Sequence, residues 1–242
     1  MKLIIGRKPV LEAINSDEQV EQVNILLGQR GAIITAIRVA AKKRRIKCNV
    51  IPIDKFKKIT NQPNHQGVAA LKPDQRFFPL EDIINESGKK EYPLILILDS
   101  IQDTHNAGAI LRSAECCGVD GIIITMHKSA PINTTVAKTS AGATEHLKIC
   151  KVNNLSQTLA TLKKNGFWIV GSSLQNAVDY TEVNYKMPIA LIVGNEEKGI
   201  RKLTAENCDF LVKIPIKGKI QSLNVSVAAG VLLFEILKQR KS

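Results

Sequence analysis

Residues 94–118 read Leu94-Ile-Leu-Ile-Leu98-Asp99-Ser-Ile-Gln-Asp103-Thr-His-Asn106-Ala-Gly108-Ala-Ile-Leu-Arg112-Ser-Ala-Glu115-Cys-Cys-Gly118. Five apolar residues in a row do not alternate with polar ones, so both faces of this strand need cover. That suits a parallel sheet between helices. Beyond the polar turn, Ala107, Ile110, Leu111 and Ala114 fall on one stripe of a helix at ~100° per residue. Asn106 is a candidate N-cap and Gly118 a candidate stop. The turn contains neither G-x-G-x-x-G nor G-x-x-x-x-G-K-[ST], which excludes the ordinary dinucleotide and P-loop readings.

Outward from this unit the same alternation continues, and the predicted fold class is α/β. Downstream strands are expected at Gly121–Thr125, Lys148–Val152, Phe167–Gly171, Ile189–Gly194 and Phe210–Ile216, with a last helix over Val225–Lys238. Upstream, Gln22–Leu27, Lys47–Pro52 and Gly67–Leu71 read as strands, with helices at Lys8–Asn15 and Ala32–Arg45. Pro73, Pro79 and Pro93 bracket a polar stretch whose one expected element is a short Leu80–Asn85 helix. The predicted organisation is a domain over 1–74, a linker over 75–92 and a second domain over 93–242.

Composition narrows the function classes. The chain of 242 residues carries 34 Lys/Arg against 22 Asp/Glu, a net charge of +12. Residues 1–74 hold 14 basic against 6 acidic residues, or +8, so the first third carries most of the field. An anionic partner follows, and nucleic acid fits better than a membrane surface because no basic amphipathic anchor is evident. Lys42-Lys43-Arg44-Arg45 ends the second helix. A cationic helix terminus favours the macrodipole, but four in a row exceed a cap and suit phosphate contact. Aromatic residues at 4% argue against base-stacking platforms. No apolar run approaches the ~18 residues of a membrane span. Met1–Gly6 is too short for a secretory signal, so the expected location is cytoplasmic. Five cysteines without C-x-x-C, and four scattered histidines, suggest reduced thiols and no metal site.

Three polar segments carry candidate chemistry, and each has a bland alternative. Arg112 points away from the apolar stripe and, with Glu115, would make a surface i,i+3 pair. Gly194-Asn-Glu196-Glu-Lys-Gly199 leaves a buried strand at its C-terminal end, where open α/β sheets place ligands; it also suits a simple turn. Ser222-Leu-Asn224-Val-Ser226 precedes a very apolar helix that either polar residue could cap.

Taken in order, Asp103-x-x-Asn106-x-Gly108-x-x-x-Arg112, Gly194-Asn-Glu196-x-x-Gly199 and Ile214-Pro-x-x-Gly218-x-x-x-Ser222-Leu-Asn224-Val-Ser226 resemble the three motifs of the SpoU (TrmH-type) RNA ribose 2′-O-methyltransferases, a match over residues 94–238. The front third, with Gly6-Arg7-Lys8-Pro9 and His65-Gln66-Gly67-Val68, resembles the ribosomal-protein-like substrate-binding domain of the two-domain members. With Ser140-Ala-Gly142-Ala-Thr-Glu145-His146, the likeness is strongest to members that methylate a guanosine of large-subunit rRNA. Thr104 stands where the family commonly has Pro, and Glu197 where it often has Gly.

The resemblance implies a parallel-sheet α/β domain with a C-terminal trefoil knot and S-adenosylmethionine as cofactor, without metal. Gly194, Ile214, Ile216 and Leu223 would line the cofactor pocket with their backbone. Arg112 would be the central catalytic residue, and Asn106, Glu196, Ser222 and Asn224 would orient it, the ribose and the cofactor. A guanidinium is a poor proton acceptor, so Arg112 is expected to clamp phosphate and stabilise the developing alkoxide. Arg7, Lys42, Lys43, Arg44 and Arg45 are the expected RNA contacts. The partners implied are 23S rRNA or an assembling large subunit, and a second copy through the C-terminal domain. Methylation of tRNA guanosine or of rRNA adenosine, and a non-catalytic RNA-binding assembly factor, are the competing readings.

Overall fold

A computed structural model describes residues 2–16, 20–72, 76–219 and 222–241. The chain divides into two compact units, Met1–Gln75 and Arg76–Ser242. The expected boundary at residues 74–75, and Pro73, fall outside the described residues.

The first unit contains β1 (Lys2–Ile5), α1 (Arg7–Asn15), β2 (Gln22–Leu26), α2 (Ala32–Lys43), β3 (Lys47–Ile51), α3 (Ile53–Lys57) and β4 (Val68–Lys72). Its sheet runs β1-β4-β2-β3, antiparallel except for the β2–β3 pair. Alternation decides which face the helices cover: Val23, Ile25, Val68 and Ala70 pack with Val10, Ile14, Ile34 and Ile37 of α1 and α2. The opening Leu3-Ile4-Ile5 run, read only for its shortness as a signal, is β1, paired with β4 at Ile4↔Ala70.

The second unit contains α4 (Leu80–Ser87), β5 (Leu94–Leu98), α5 (Thr104–Cys116), β6 (Gly121–Thr125), α6 (Thr134–Thr139), β7 (Ile149–Val152), α7 (Leu155–Lys164), β8 (Trp168–Ser172), β9 (Val178–Asp179), β10 (Ile189–Val193), α8 (Lys202–Glu206), β11 (Phe210–Lys213) and α9 (Val225–Lys241). Its sheet, β7-β6-β5-β10-β8-β11-β9, is parallel at every pairing. Leu94, Leu96 and Leu98 face α5 and α9, while Ile95 and Ile97 face α4 and α7. The unbroken apolar strand therefore serves two cores, each such side chain contributing ~1.5–3 kcal/mol. Strands β6 and β7 extend from one side of β5, and β10 lies on the other. The C-terminal ends of β5 and β10 thus form a switch point, where open α/β sheets bind ligands.

The stretch 75–92 differs from the linker expected of it. From Arg76 it belongs to the second unit. Ile83 and Ile84 of α4 are buried against β5 and β6, and the Phe78 N–H donates to the Ile149 carbonyl on edge strand β7 at 2.9 Å. Prolines and a two-turn helix hid a stripe too short for a periodicity reading.

Candidate active site

Helix α5 begins one turn earlier than the Asn106 cap would place it. Asp103 is the N-cap, its Oδ1 accepting from the Asn106 N–H at 2.7 Å. That relieves the Asn106 carboxamide of capping. At the helix's far end Gly118 adopts φ +70°, the left-handed turn that glycine takes without strain.

After β10 the chain passes Gly194 and folds into a tight hairpin. Asn195 and Gly199 exchange two backbone hydrogen bonds, of 2.9 and 2.8 Å. A side chain at Gly194 could not be accommodated: its Cβ would lie 2.1 Å from the Gly199 carbonyl carbon. The hairpin thereby presents Glu196 toward α5. At the start of α9, Asn224 caps the helix by accepting from the Ser226 N–H at 2.9 Å and its hydroxyl at 2.6 Å. The capping alternative for Asn224 is therefore correct, and it accounts for only one end of the carboxamide.

The other end joins a closed triangle. Asn224 Nδ2 donates to Asn106 Oδ1 at 2.9 Å and to Glu196 Oε1 at 2.8 Å, and Asn106 Nδ2 donates to Glu196 Oε2 at 3.0 Å. One residue from each polar segment meets at the switch point, over sequence separations of 28, 90 and 118 residues. Both carboxylate oxygens of Glu196 are held by amide donors, which fixes it as an oriented acceptor. Arg112 and Ser222 are exposed and stand outside the triangle, hydrogen-bonded to none of the described residues; the Arg112–Glu115 ion pair does not form.

The segment after β11 can accept a flat, largely apolar ligand with polar edges. Ile214, Ile216 and Leu223 make no backbone–backbone hydrogen bond with the described residues, so their peptide groups remain available. Ile216 and Leu223 stay 36% and 39% exposed, and nothing lies within 4 Å of a Cβ built on Gly218. Gly194 is buried at the strand end. Unpaired peptide groups beside exposed apolar side chains suit the adenine ring of S-adenosylmethionine.

In the first unit the basic residues divide into two groups. Arg44 binds the Asn15 and Ser16 carbonyls at the end of α1, so this member of the expected phosphate cluster is a structural cap. Arg7 is pinned through its Nε to the Gln66 carbonyl and through a terminal nitrogen to Gln29. It ties the Gly6 turn to the His65–Gly67 turn, where the Gly67 N–H donates to His65 Nδ1 at 2.8 Å. Lys42, Lys43 and Arg45 are exposed.

Two further clusters had no sequence signal. Asp99, at the end of β5, is fully buried and accepts from Arg201 and Thr204. Arg240, at the end of α9, donates to the carbonyls of Tyr92, Pro93, Tyr185 and Met187.

A parallel sheet with polar residues gathered at its switch point is the frame of a ligand site, and comparison with known proteins says which kind. Residues 93–234 match the SpoU rRNA Methylase family, and residues 3–77 match the RNA 2′-O ribose methyltransferase substrate-binding family. The chain belongs to the SpoU family of RNA methyltransferases. It is 39% identical over 239 residues to a TrmH-family tRNA/rRNA methyltransferase of Staphylococcus aureus, covering 98% of this chain and 96% of that protein. The crystal structure of an AdoMet-bound rRNA methyltransferase from Sinorhizobium meliloti superposes with a TM-score of 0.67 at 25% identity, covering 98% of this chain and 86% of that one. A TrmH/SpoU tRNA-modifying enzyme from A. aeolicus is 34% identical over 67% of this chain and 82% of its own, with a TM-score of 0.58.

Proposed function

We propose that this protein transfers a methyl group from S-adenosylmethionine to a ribose 2′-hydroxyl in RNA, and that its target is a guanosine of large-subunit rRNA. The observation that carries the reading is the Asn106–Glu196–Asn224 triangle, which unites the three family motifs at the sheet's switch point. Full-length similarity to the S. meliloti rRNA enzyme, against a two-thirds match to the A. aeolicus tRNA enzyme, favours rRNA over tRNA.

S-adenosylmethionine, held by the peptides of Gly194, Ile214, Ile216 and Leu223, supplies an electrophilic methyl group. The protein's own contribution is placement and charge. Asn106, Glu196 and Asn224 form a rigid polar wall that fixes the ribose, with Ser222 beside it in the chain. A positioned hydroxyl gains most of its advantage from the entropy already removed. The Arg112 guanidinium clamps an adjacent phosphate and stabilises the alkoxide as the hydroxyl proton leaves. Lys42, Lys43 and Arg45 draw RNA to the first unit, and Arg7 shapes the turns at the opposite end of α1 and α2.

The working protein, in this reading, is a cytoplasmic homodimer. Its C-terminal segment is threaded as a trefoil knot, and its partner face includes the exposed Leu223, Val227 and Phe234.

The test is methyl transfer from labelled S-adenosylmethionine to unmodified rRNA, tRNA and ribosomal particles, with nucleoside mass spectrometry. The expected product is 2′-O-methylguanosine in large-subunit rRNA. Label in tRNA overturns the target, and none on any substrate overturns the reaction and leaves an RNA-binding assembly factor. Arg112→Ala should lower turnover by about 10²–10³-fold and spare cofactor binding.

A further inference from the structure

The buried carboxylate of Asp99 lies where two functional loops leave neighbouring strands. It follows β5, whose loop delivers Asn106, and its N–H donates to the Val193 carbonyl, the last residue of β10, at 2.9 Å. The β10 loop carries Glu196. Asp99 is 0% exposed, and four groups donate to it: the Arg201 N–H at 3.2 Å, Arg201 Nε at 2.8 Å, the Thr204 hydroxyl at 3.0 Å and the Ser100 hydroxyl at 3.1 Å. A carboxylate offers about four acceptor sites, so this one is saturated.

Three of those donors come from the far side of the Glu196 hairpin. The hairpin's near side is held differently, with Asn195 Nδ2 donating to the Ser100 carbonyl at 3.3 Å. Ser100 has φ +65°, a left-handed backbone in a residue other than glycine, and it is half-buried beside the anchor. Both ends of the 195–201 loop are therefore fastened to residues 99–100. The hairpin's own bonds set its shape; the anchor at 99–100, with Ile200 buried in the core beside it, sets where that shape sits.

We infer that Asp99 is a positioning residue that, through Arg201 and Thr204, holds the 195–201 loop so that Glu196 meets Asn106 and Asn224. A buried charge is retained where its partners are complete, because an unpaired one would be far costlier than an apolar residue of the same volume. Nothing in the β5 core needs a carboxylate at that position; the loop does.

This inference rests on the proposed methyl transfer for its kinetic readout and is independent of it for its structural one. The experiment compares Thr204→Val, Thr204→Ser and Asp99→Asn in the full chain. Hydrogen exchange of peptides spanning 195–201 and 189–193 is followed alongside single-turnover methyl transfer. Thr204→Val preserves shape and removes the hydroxyl, whereas Thr204→Ser keeps the hydroxyl and removes a methyl group. Positioning predicts that the valine variant exchanges faster in 195–201, with β10 still protected, and loses about tenfold in turnover at unchanged KM. The serine variant should match the parent. Asp99→Asn presents amide hydrogens to donors and should lose about 10²-fold, the scale of a 1 Å misplacement. The reverse order, serine harmed and valine intact, would show Thr204 to be a packing residue and overturn the inference. So would unchanged exchange of 195–201 in Asp99→Asn. A parent protein without methyl transfer refutes the proposed reaction, while the exchange data still decide the role of Asp99.

Discussion

Replacing Arg240 with alanine tests how α9 is fastened. Its Nε donates to the Tyr185 carbonyl at 3.0 Å, and its terminal nitrogens donate to Tyr92 at 2.7 Å, Met187 at 2.9 Å and Pro93 at 3.4 Å. Among the described residues no carboxylate bonds the guanidinium, and burial, partly opposed by the Asp120 charge, holds its pKa below the usual arginine value. Hydrogen bonds from a charged donor contribute about 1.5–3 kcal/mol each. Three short ones at the lower figure give about 4.5 kcal/mol, offset by about 2 kcal/mol of side-chain entropy regained on truncation. The net expected loss is about 2–3 kcal/mol. For a unit spanning Arg76–Ser242 this converts at ~2–4 °C per kcal/mol to roughly 5–10 °C in Tm. The sequence's one tryptophan, Trp168 on β8, is 46% exposed and reports on this unit alone, so thermal unfolding by its fluorescence is the assay. Arg240→Lys keeps the charge without the planar fork and should recover at most about half of the loss. A Tm within 1 °C of the parent would refute the assignment, since four carbonyls would then have lost their donors without consequence.

Three other perturbations follow from named contacts. Gly194→Ala forces a Cβ to 2.1 Å from Gly199 and 2.2 Å from the Ile200 nitrogen, so it should cost about 1–3 kcal/mol and abolish cofactor binding. Gly218→Ala, with open space around it, should leave Tm unchanged in the same melt, and equal behaviour of the two would refute the steric reading. Lys42→Ala, Lys43→Ala and Arg45→Ala together should flatten the slope of log affinity for RNA against log salt by up to about 2–3. Arg44→Ala should instead lower the stability of the first unit and spare that slope, as titrations over a salt series can read. Among the cysteines, exposed Cys116 should alkylate first in the native protein. Burial pushes the Cys117 and Cys150 thiols up to about 11 and that of Cys208 to about 12. At pH 8 Cys208 is thiolate in only about one molecule in ten thousand. Mass-spectrometric labelling of Cys208 as fast as Cys116 would contradict its burial.

How much could be read in advance depended on whether a contact leaves a mark in the chain. The Leu94–Leu98 and Ile189–Val193 strands do, because burial on both faces demands unbroken apolar runs. The stripe Ala107, Ile110, Leu111, Ala114 is buried as its spacing requires. Asn106, Glu196 and Asn224 were visible through motif order, but their mutual contacts were not, since nothing local in the chain says that residues 118 apart touch. The cap was misplaced from Asp103 to Asn106 because both types serve and only geometry chooses. The short helix at Leu80 is legible, but the burial of its Ile83 and Ile84 is not, because two turns between prolines give too little periodicity. Arg240 lies beyond Lys238, where the last helix is expected to end, and the backbone carbonyls it binds carry no sequence signature. Asp99 looked like one more turn residue, because burial of a carboxylate is set by what folds over it.

The triangle also has a consequence in time. During synthesis Asn106 and Glu196 leave the ribosome well before Asn224, so a nascent chain can build most of its sheet while its polar wall still lacks a corner. Prematurely terminated products that stop short of Asn224 retain the basic front unit, and with it an attraction for RNA, yet have no closed triangle with which to modify it. Translation errors of this kind would generate competitors for the substrate rather than rogue modifiers of it.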